Sequence, residues 1–412
     1  MQKRITGIIF LSILPVFLGY GFLFGQQAYP ELNQALKYRV ENNIGMNYQV
    51  TRSGKVHTVI FSLDLPSGEN LNNDYDLSYE IKDEYGKSSS LITRTLNQAI
   101  AGIGTEGSKI YLKVRFEDQE NYNVLFLRLV NKYSSVVHVW DIPLDEANAY
   151  EAPDFYLTRS KISIPYLLPY IEIGDDLKIA SMDSTINSFF VYHYEHTFSP
   201  ADPPMSRLDK EVSRSMEIDT IFMVRGNEPF TLSKQGLYFI QSDTSSFSGI
   251  SIRAEEKFYP KLVRIEDIAD PVIYLTTKQE IDKLKAAEDK KKAFEKFWLN
   301  LANSEERAGR MIRIYFNEVE NANRFFTNYK PGWKTDMGMI YILFGPPDDV
   351  TNNGETESWQ YNAQDGNLPV VFNFLHLKSI FTNQHYLLIR DKRYRNIWFR
   401  KIEDWRVGRI NR

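Results

Sequence analysis

Between about residue 45 and residue 150, apolar and polar positions alternate with period two. Ile110, Leu112, Val114 and Phe116 interleave with Tyr111, Lys113, Arg115 and Glu117, which predicts a strand with one dry and one wet face. Val59, Phe61, Leu63 and Leu65 repeat the device against Thr58, Ser62 and Asp64, and Val124 to Val130 is apolar enough to be covered on both sides. Short strands separated by Gly, Asn, Asp and Ser clusters predict an antiparallel sandwich. A second block, from about Pro153 to Asp270, has strand-like runs at Phe189 to Tyr194, Ile218 to Val224, Gly236 to Gln241 and Ile250 to Ala254. Within it, Ser199 to Arg214 carries Pro200, Pro203 and Pro204 and reads as a long exposed loop.

Near Pro271 the period changes to that of a helix. Thr277 and Glu280 form a capping box ahead of Ile281, Leu284, Phe294, Phe297, Trp298 and Leu301. Asn303 with Glu306 opens a second helix, whose Ala308, Met311, Ile312, Tyr315, Phe316, Val319, Ala322 and Phe326 make one apolar stripe. Strand patterns then return at Met339 to Phe344, Ser358 to Tyr361, Val370 to Leu375 and His385 to Arg390. The expected fold is multidomain and mainly β: two antiparallel β-sandwich-like domains (27–151 and 152–270), then an α+β domain (271–412) with a helical hairpin and a small antiparallel sheet.

At the N-terminus, Lys3 and Arg4 precede an uncharged stretch from Ile5 to Phe24, followed by Gly25, Gln26 and Gln27. Basic, apolar and cleavage segments in that order predict a signal peptide over residues 1–26. Pro15 interrupts the apolar helix and argues against an uncleaved anchor, the one route by which the chain would meet a membrane.

Composition narrows the chemistry. The 412 residues contain no cysteine, which excludes disulfides, thiolate metal sites and cysteine nucleophiles. A net charge of -4 gives no global pull toward nucleic acid. The segment Asp391 to Arg412 is locally basic, with eight Lys and Arg against three acidic residues and with Tyr394, Trp398, Phe399 and Trp405 interleaved. Those aromatics are expected to dock the tail on the protein itself.

Other motifs fail on context. Gly102-Ile103-Gly104-Thr105-Glu106-Gly107 leads into the Ile110 strand, so it reads as a turn and not as a dinucleotide loop. His193 and His196 lie three apart on a strand and point to opposite faces, against a shared metal. Asp349 to Gly354 begins like a calcium loop but has Gln360 at the twelfth position, so a hairpin loop is expected. No cofactor and no metal are expected.

Between the second helix and the last strands stands Tyr329-Lys330-Pro331-Gly332-Trp333-Lys334-Thr335-Asp336, continuing through Gly338 to Gly345-Pro346-Pro347. This segment, with Phe297-Trp298 upstream and Trp359-x-Tyr361 downstream, resembles the domain family named for its GWxTD signature, over about residues 271–390. Leu299 to Asn303 stands where an Arg-Asp-Pro-like turn is expected. The resemblance implies an exported bacterial protein, in the periplasm or envelope of a Gram-negative cell, and supplies no reaction. Gly332, Trp333, Thr335, Asp336, Gly345, Pro346 and Pro347 are the structural or ligand-binding candidates, and no catalytic residue is identifiable.

Pro331-Gly332 should end the hairpin and let Trp333 cover the junction of helix and sheet. Thr335 and Asp336 should hold the amides leading into a strand at Gly338. The function expected is binding or scaffolding toward a protein partner or an envelope polymer, without nucleic acid. The alternatives are a hydrolase-like enzyme with a cleft near Trp333, or a glycan-binding module.

Overall fold

A computed structural model describes residues 33–41, 44–85, 90–117, 119, 121–144, 152–195, 197–207, 216–362 and 369–409. The expected signal peptide lies outside these residues. No helix among them is long and apolar enough to cross a membrane.

The alternating pattern at the start of the described chain folds into two facing sheets. One holds β1 (Gly45–Ser53), β2 (Val56–Asp64), β6 (Lys109–Glu117) and β5 (Gly102–Glu106), in that order. The other holds β4 (Ile92–Leu96), β3 (Tyr75–Lys82), β7 (Val124–Asn131) and β8 (Val137–Pro143). Single-turn helices α1 (Leu71–Asp74) and α2 (Gln98–Ala101) punctuate the connections. Val59, Phe61, Leu112 and Val114 pack against Leu77, Ile81, Leu125 and Leu127 between the sheets. Strand β7 is covered on both faces, because Val124 and Phe126 pack on the far side with Val139. One expectation is corrected: Gly102 to Glu106 forms the edge strand β5 paired with β6, and only Gly107, at φ +61°, makes the turn.

The second block is also two sheets. One runs β10 (Ile162–Pro165), β9 (Phe155–Arg159), β12 (Asp176–Ser181), β15 (Phe230–Thr231). The other runs β11 (Tyr170–Glu172), β17 (Ile250–Glu255), β16 (Gly236–Gln241), β13 (Ser188–Tyr194), β14 (Thr220–Arg225). All pairings are antiparallel except β11 with β17, which is parallel. Phe155, Leu177, Val191 and Ile240 fill the space between. Residues 199–207, the described first half of the expected loop, have no helix or strand.

After one short turn α3 (Ile265–Ile268), the helical pattern yields α4 (Lys278–Ala286), α5 (Lys290–Ala302) and α6 (Glu305–Phe326). Both hydrogen bonds of the Thr277–Glu280 capping box are present. The start of α6 shifts by one residue from expectation. Ser304 is the N-cap, bonding the Arg307 amide, while Asn303 sits at φ +58° and ends α5; asparagine tolerates that left-handed conformation.

The larger correction concerns Met339 to Phe344, which is not a strand. It belongs to helix α7 (Asp336–Phe344), with every residue from Asp336 to Leu343 buried. A helix enclosed on all sides has no polar face, so its apolar run carries no period that separates it from a buried strand. The sheet that follows is β18 (Asp349–Asn352), β19 (Thr356–Tyr361), β20 (Val370–His376) and β21 (Tyr386–Leu388), in sequence order. The hairpin loop expected over Asp349 to Gly354 is shorter, because Asp349–Asn352 is strand β18 and only the turn at Gly354, at φ +88°, leads into β19.

Both flanks of the described chain close on this last core. Helix α8 (Arg395–Arg406) buries Trp398 and Trp405, and the Trp405 indole donates to the Leu343 carbonyl at 2.9 Å. Tyr394, just before it, is buried too. From the other flank, Ala35 and Tyr38 pack into the same core, ahead of the first sandwich in sequence. The Gln34 amide donates to the Val350 carbonyl at 3.0 Å, and the Val350 amide donates to Asn33 Oδ1 at 3.0 Å. This strap covers the edge strand β18, whose main-chain groups otherwise face an unpaired side.

Candidate functional site

Helix α6 and helix α7 meet at the signature turn, where backbones approach too closely for any side chain. A Cβ on Gly332 would lie 2.1 Å from the Ala322 carbonyl oxygen, and one on Gly338 would lie 2.0 Å from that of Gly332. Both positions therefore require glycine. The Gly332 amide donates to Thr327 Oγ1 at 3.1 Å and the Trp333 amide to Asn323 Oδ1 at 3.0 Å, so α6 holds the turn through its last polar side chains. Tyr274 OH donates to the Trp333 carbonyl at 2.9 Å.

The Trp333 ring is 4% exposed and meets Tyr274 edge-on at 6.3 Å. Thr335 Oγ1 donates to the Gly332 carbonyl at 2.7 Å and accepts from the Gly338 amide at 2.9 Å, which makes it the N-cap of α7. The expected backbone-holding role of Thr335 is present, but the element it opens is a helix.

Asp336 does something the sequence did not suggest. Its carboxylate accepts from Arg390 Nη2 at 2.6 Å and Nη1 at 3.1 Å, and from the Leu388 amide at 2.8 Å. Both side chains are about 5% exposed, so this is a two-pronged buried ion pair between the start of α7 and the segment just after β21. Arg390 Nη2 also donates to the Asp202 carbonyl at 3.0 Å, tying in the second block. Arg390 was legible only as the end of a strand pattern, since nothing in local spacing links it to a residue 54 positions away. Further on, Gly345 at φ +82° turns the chain out of α7, its carbonyl accepts from Tyr361 OH at 2.8 Å, and Pro347 is buried behind it. Pro346, beside it, is half-buried.

The hollow beside Trp333 is small, about 110 Å³, and is lined by Lys334, Glu255, Glu256, Arg264 and Asp267 among others. Three of its charged groups pair with one another. Arg264 lies 2.7 Å from Glu256 and 2.7 Å from Asp267. Burial lowers the pKa of Lys334, whose ammonium sits 5.2 Å over the Trp333 ring.

A second polar centre, which sequence reasoning missed, lies where the first sandwich, the N-terminal strap and the last sheet meet. Glu357 is 1% exposed. It accepts from Tyr38 OH at 2.7 Å, the Trp359 indole at 2.7 Å and Lys37 Nζ at 2.8 Å. Asn352 Nδ2 bridges it to Asp141 and to the Tyr386 hydroxyl, and Tyr85 OH donates to Asp141 at 2.9 Å. Burial first, and the neighbouring carboxylates second, raise the Tyr38 and Tyr386 pKa values well above 10. Above this cluster opens a cavity of about 590 Å³, lined by residues from all three blocks. The only sequence signal was Trp359-x-Tyr361, whose intervening residues put Glu357, Trp359 and Tyr361 on one face of β19.

His193 lies on β13 as expected, buried, with Nδ1 at 2.8 Å from Asp219 and Nε2 at 3.2 Å from the Gln235 carbonyl. His196 is outside the described residues. Among those residues, no group of three or more His, Cys, Asp or Glu is placed to hold a metal ion.

The arrangement defines a β-rich, three-block protein whose terminal α+β unit is clipped shut by its own signature. The sequence profile of the GWxTD domain matches residues 236–407, so the chain carries a GWxTD domain over that segment. The match begins upstream of the 271–390 resemblance, taking in β16 and β17. The structure gives a reason for that extension. Arg253 of β17 donates to the Tyr329 carbonyl at 2.9 Å, just before the signature, and is itself paired with the buried Glu255. No curated protein matches the chain.

Proposed function

We propose that this is an exported protein of the cell envelope, periplasmic in location, whose role is binding or scaffolding toward another protein. The observation that supports this reading is how the signature is used. Trp333 is enclosed, Thr335 caps a helix and Asp336 is occupied by Arg390 and a backbone amide, so the side chains that mark the family hold the fold and leave no nucleophile beside a base. Surfaces remain to carry the role. Among the described residues, strand β14 ends its sheet and pairs only with β13, and it exposes Ile221 and Met223 at 51% and 61%, an apolar edge suited to strand addition by a partner.

The test is cross-linked capture from intact cells with wild-type protein and an Ile221→Lys/Met223→Lys variant. The expected result is a mature N-terminus near Gln26 or Gln27 and a partner whose recovery the variant abolishes. Equal recovery by both forms, or turnover of an ester, peptide or glycoside substrate by the purified protein, would overturn the reading.

A further inference from the structure

We infer that the junction cavity is a binding site for a short neutral oligosaccharide, separate from the β14 edge and independent of the protein-partner reading. Its volume of about 590 Å³ falls in the range of small-molecule sites, roughly 300–1,000 Å³. Its lining has two recurrent parts. Tyr48, Phe325 and Tyr386 supply aromatic rings, and Asn47, Asn383 and Gln384 supply amides.

A pyranose ring has the complementary surfaces. Its C–H face is apolar and slightly positive, suited to the negative face of an aromatic ring. Its hydroxyls each donate and accept, as a carboxamide does. The lining charges argue for a neutral ligand, because three cationic side chains (Lys37, Lys109, Arg324) balance three anionic ones (Asp64, Asp141, Glu357). Lys37 is already held by Glu357 at 2.8 Å, and Arg324 by Glu320 at 3.3 Å. Two of the three lining cations are therefore already opposed, and a lipid tail would have to cover the amides without giving them partners.

The walls also belong to different blocks. Asn47 and Tyr48 sit on β1, Tyr166 and Tyr170 come from the second block, and Phe325, Asn383 and Tyr386 come from the family domain. The Asn383 amide already donates to Tyr48 OH at 3.1 Å, joining the family domain to β1. A bound sugar would bridge all three blocks, so occupancy should raise the unfolding temperature of the whole chain.

The experiment is calorimetric titration of the full mature protein with cellotriose, maltotriose and N,N′,N″-triacetylchitotriose, with a trigalacturonate as the charged control. At least one neutral trisaccharide should bind and raise Tm. Gln384→Ala, at an exposed position, should weaken that binding about tenfold through a lost hydrogen bond without changing the Tm of the free protein. Asn47→Trp, which puts a bulky ring into the lining, should abolish it. Absence of binding by all three neutral trisaccharides at millimolar concentration overturns the inference. So does tighter binding of the charged control, or binding that survives both variants. None of these outcomes bears on partner capture at β14.

Discussion

The signature turn and the junction around Glu357 are built from the same materials, a buried carboxylate among aromatic rings, yet one is closed and the other opens on a cavity. At the turn, Asp336 receives both arms of Arg390 and the Leu388 amide, and Trp333 fills the remaining space. These partners come from elements of one core, which settle against each other and leave only the small hollow of about 110 Å³ beside the ring. At the junction, Glu357 receives Tyr38, Trp359 and Lys37, and Asn352 passes the network on to Asp141 of the first sandwich. The network there crosses from one core to another, so the polar groups meet while the bulk behind them does not. A charge needs partners wherever it is buried; close packing depends on whether those partners share a core.

The comparison breaks first at the turn. Arg390→Met leaves Asp336 buried without its counter-charge and should cost about 3–5 kcal/mol in urea unfolding. Trp333→Ala should cost a similar amount, about 3–5 kcal/mol, as a core truncation. A loss below about 1 kcal/mol in either variant would mean that the turn is not the clip of this domain. The junction should respond less. Glu357→Gln keeps one acceptor oxygen but loses the charge facing Lys37, for about 1–3 kcal/mol, and an unchanged midpoint would show that water already satisfies these groups.

Smaller again is Thr335→Ala, which removes the N-cap of α7 for about 1 kcal/mol; Thr335→Ser should restore most of it. The smallest effect lies on the domain's surface. Arg406 first, and the cap of α4 second, lower the Glu280 pKa from 4.5 to about 2. Since the folded pKa is depressed, this contribution is complete above about pH 4.5 and gone below about pH 2. The pair is about a third exposed, so solvent screening keeps it within about 1 kcal/mol. Unfolding curves of wild type and Glu280→Gln should converge over that interval; a constant gap from pH 6 to pH 2 would assign the effect to something other than charge.

What was legible beforehand has a common character. Period-two alternation located β2 and β6, a continuous apolar run located β7, the Thr277–Glu280 box marked the start of α4, and Trp333 was readable as a wedge because Pro331-Gly332 turns the chain just ahead of it. Each is set by residues within a few positions of one another. The misreadings mark where that range ends. Met339 to Phe344 is a helix because neighbours enclose it on every side, and Gly102 to Glu106 is a strand because β6 offers it an edge. The parallel pairing of β11 with β17 and the strap at residues 33–38 involve partners far along the chain.

By itself, the sequence determined where the periods change, which residues cap and which turn, because steric limits and short hydrogen bonds act between near neighbours. The tertiary structure decided that Asp336 answers to Arg390, that Glu357 is joined through Asn352 to Asp141 of the first sandwich, and that a cavity remains at that junction. Those outcomes follow from the cost of burying charge and from how well rigid surfaces fit, and both are set only when distant segments are brought together.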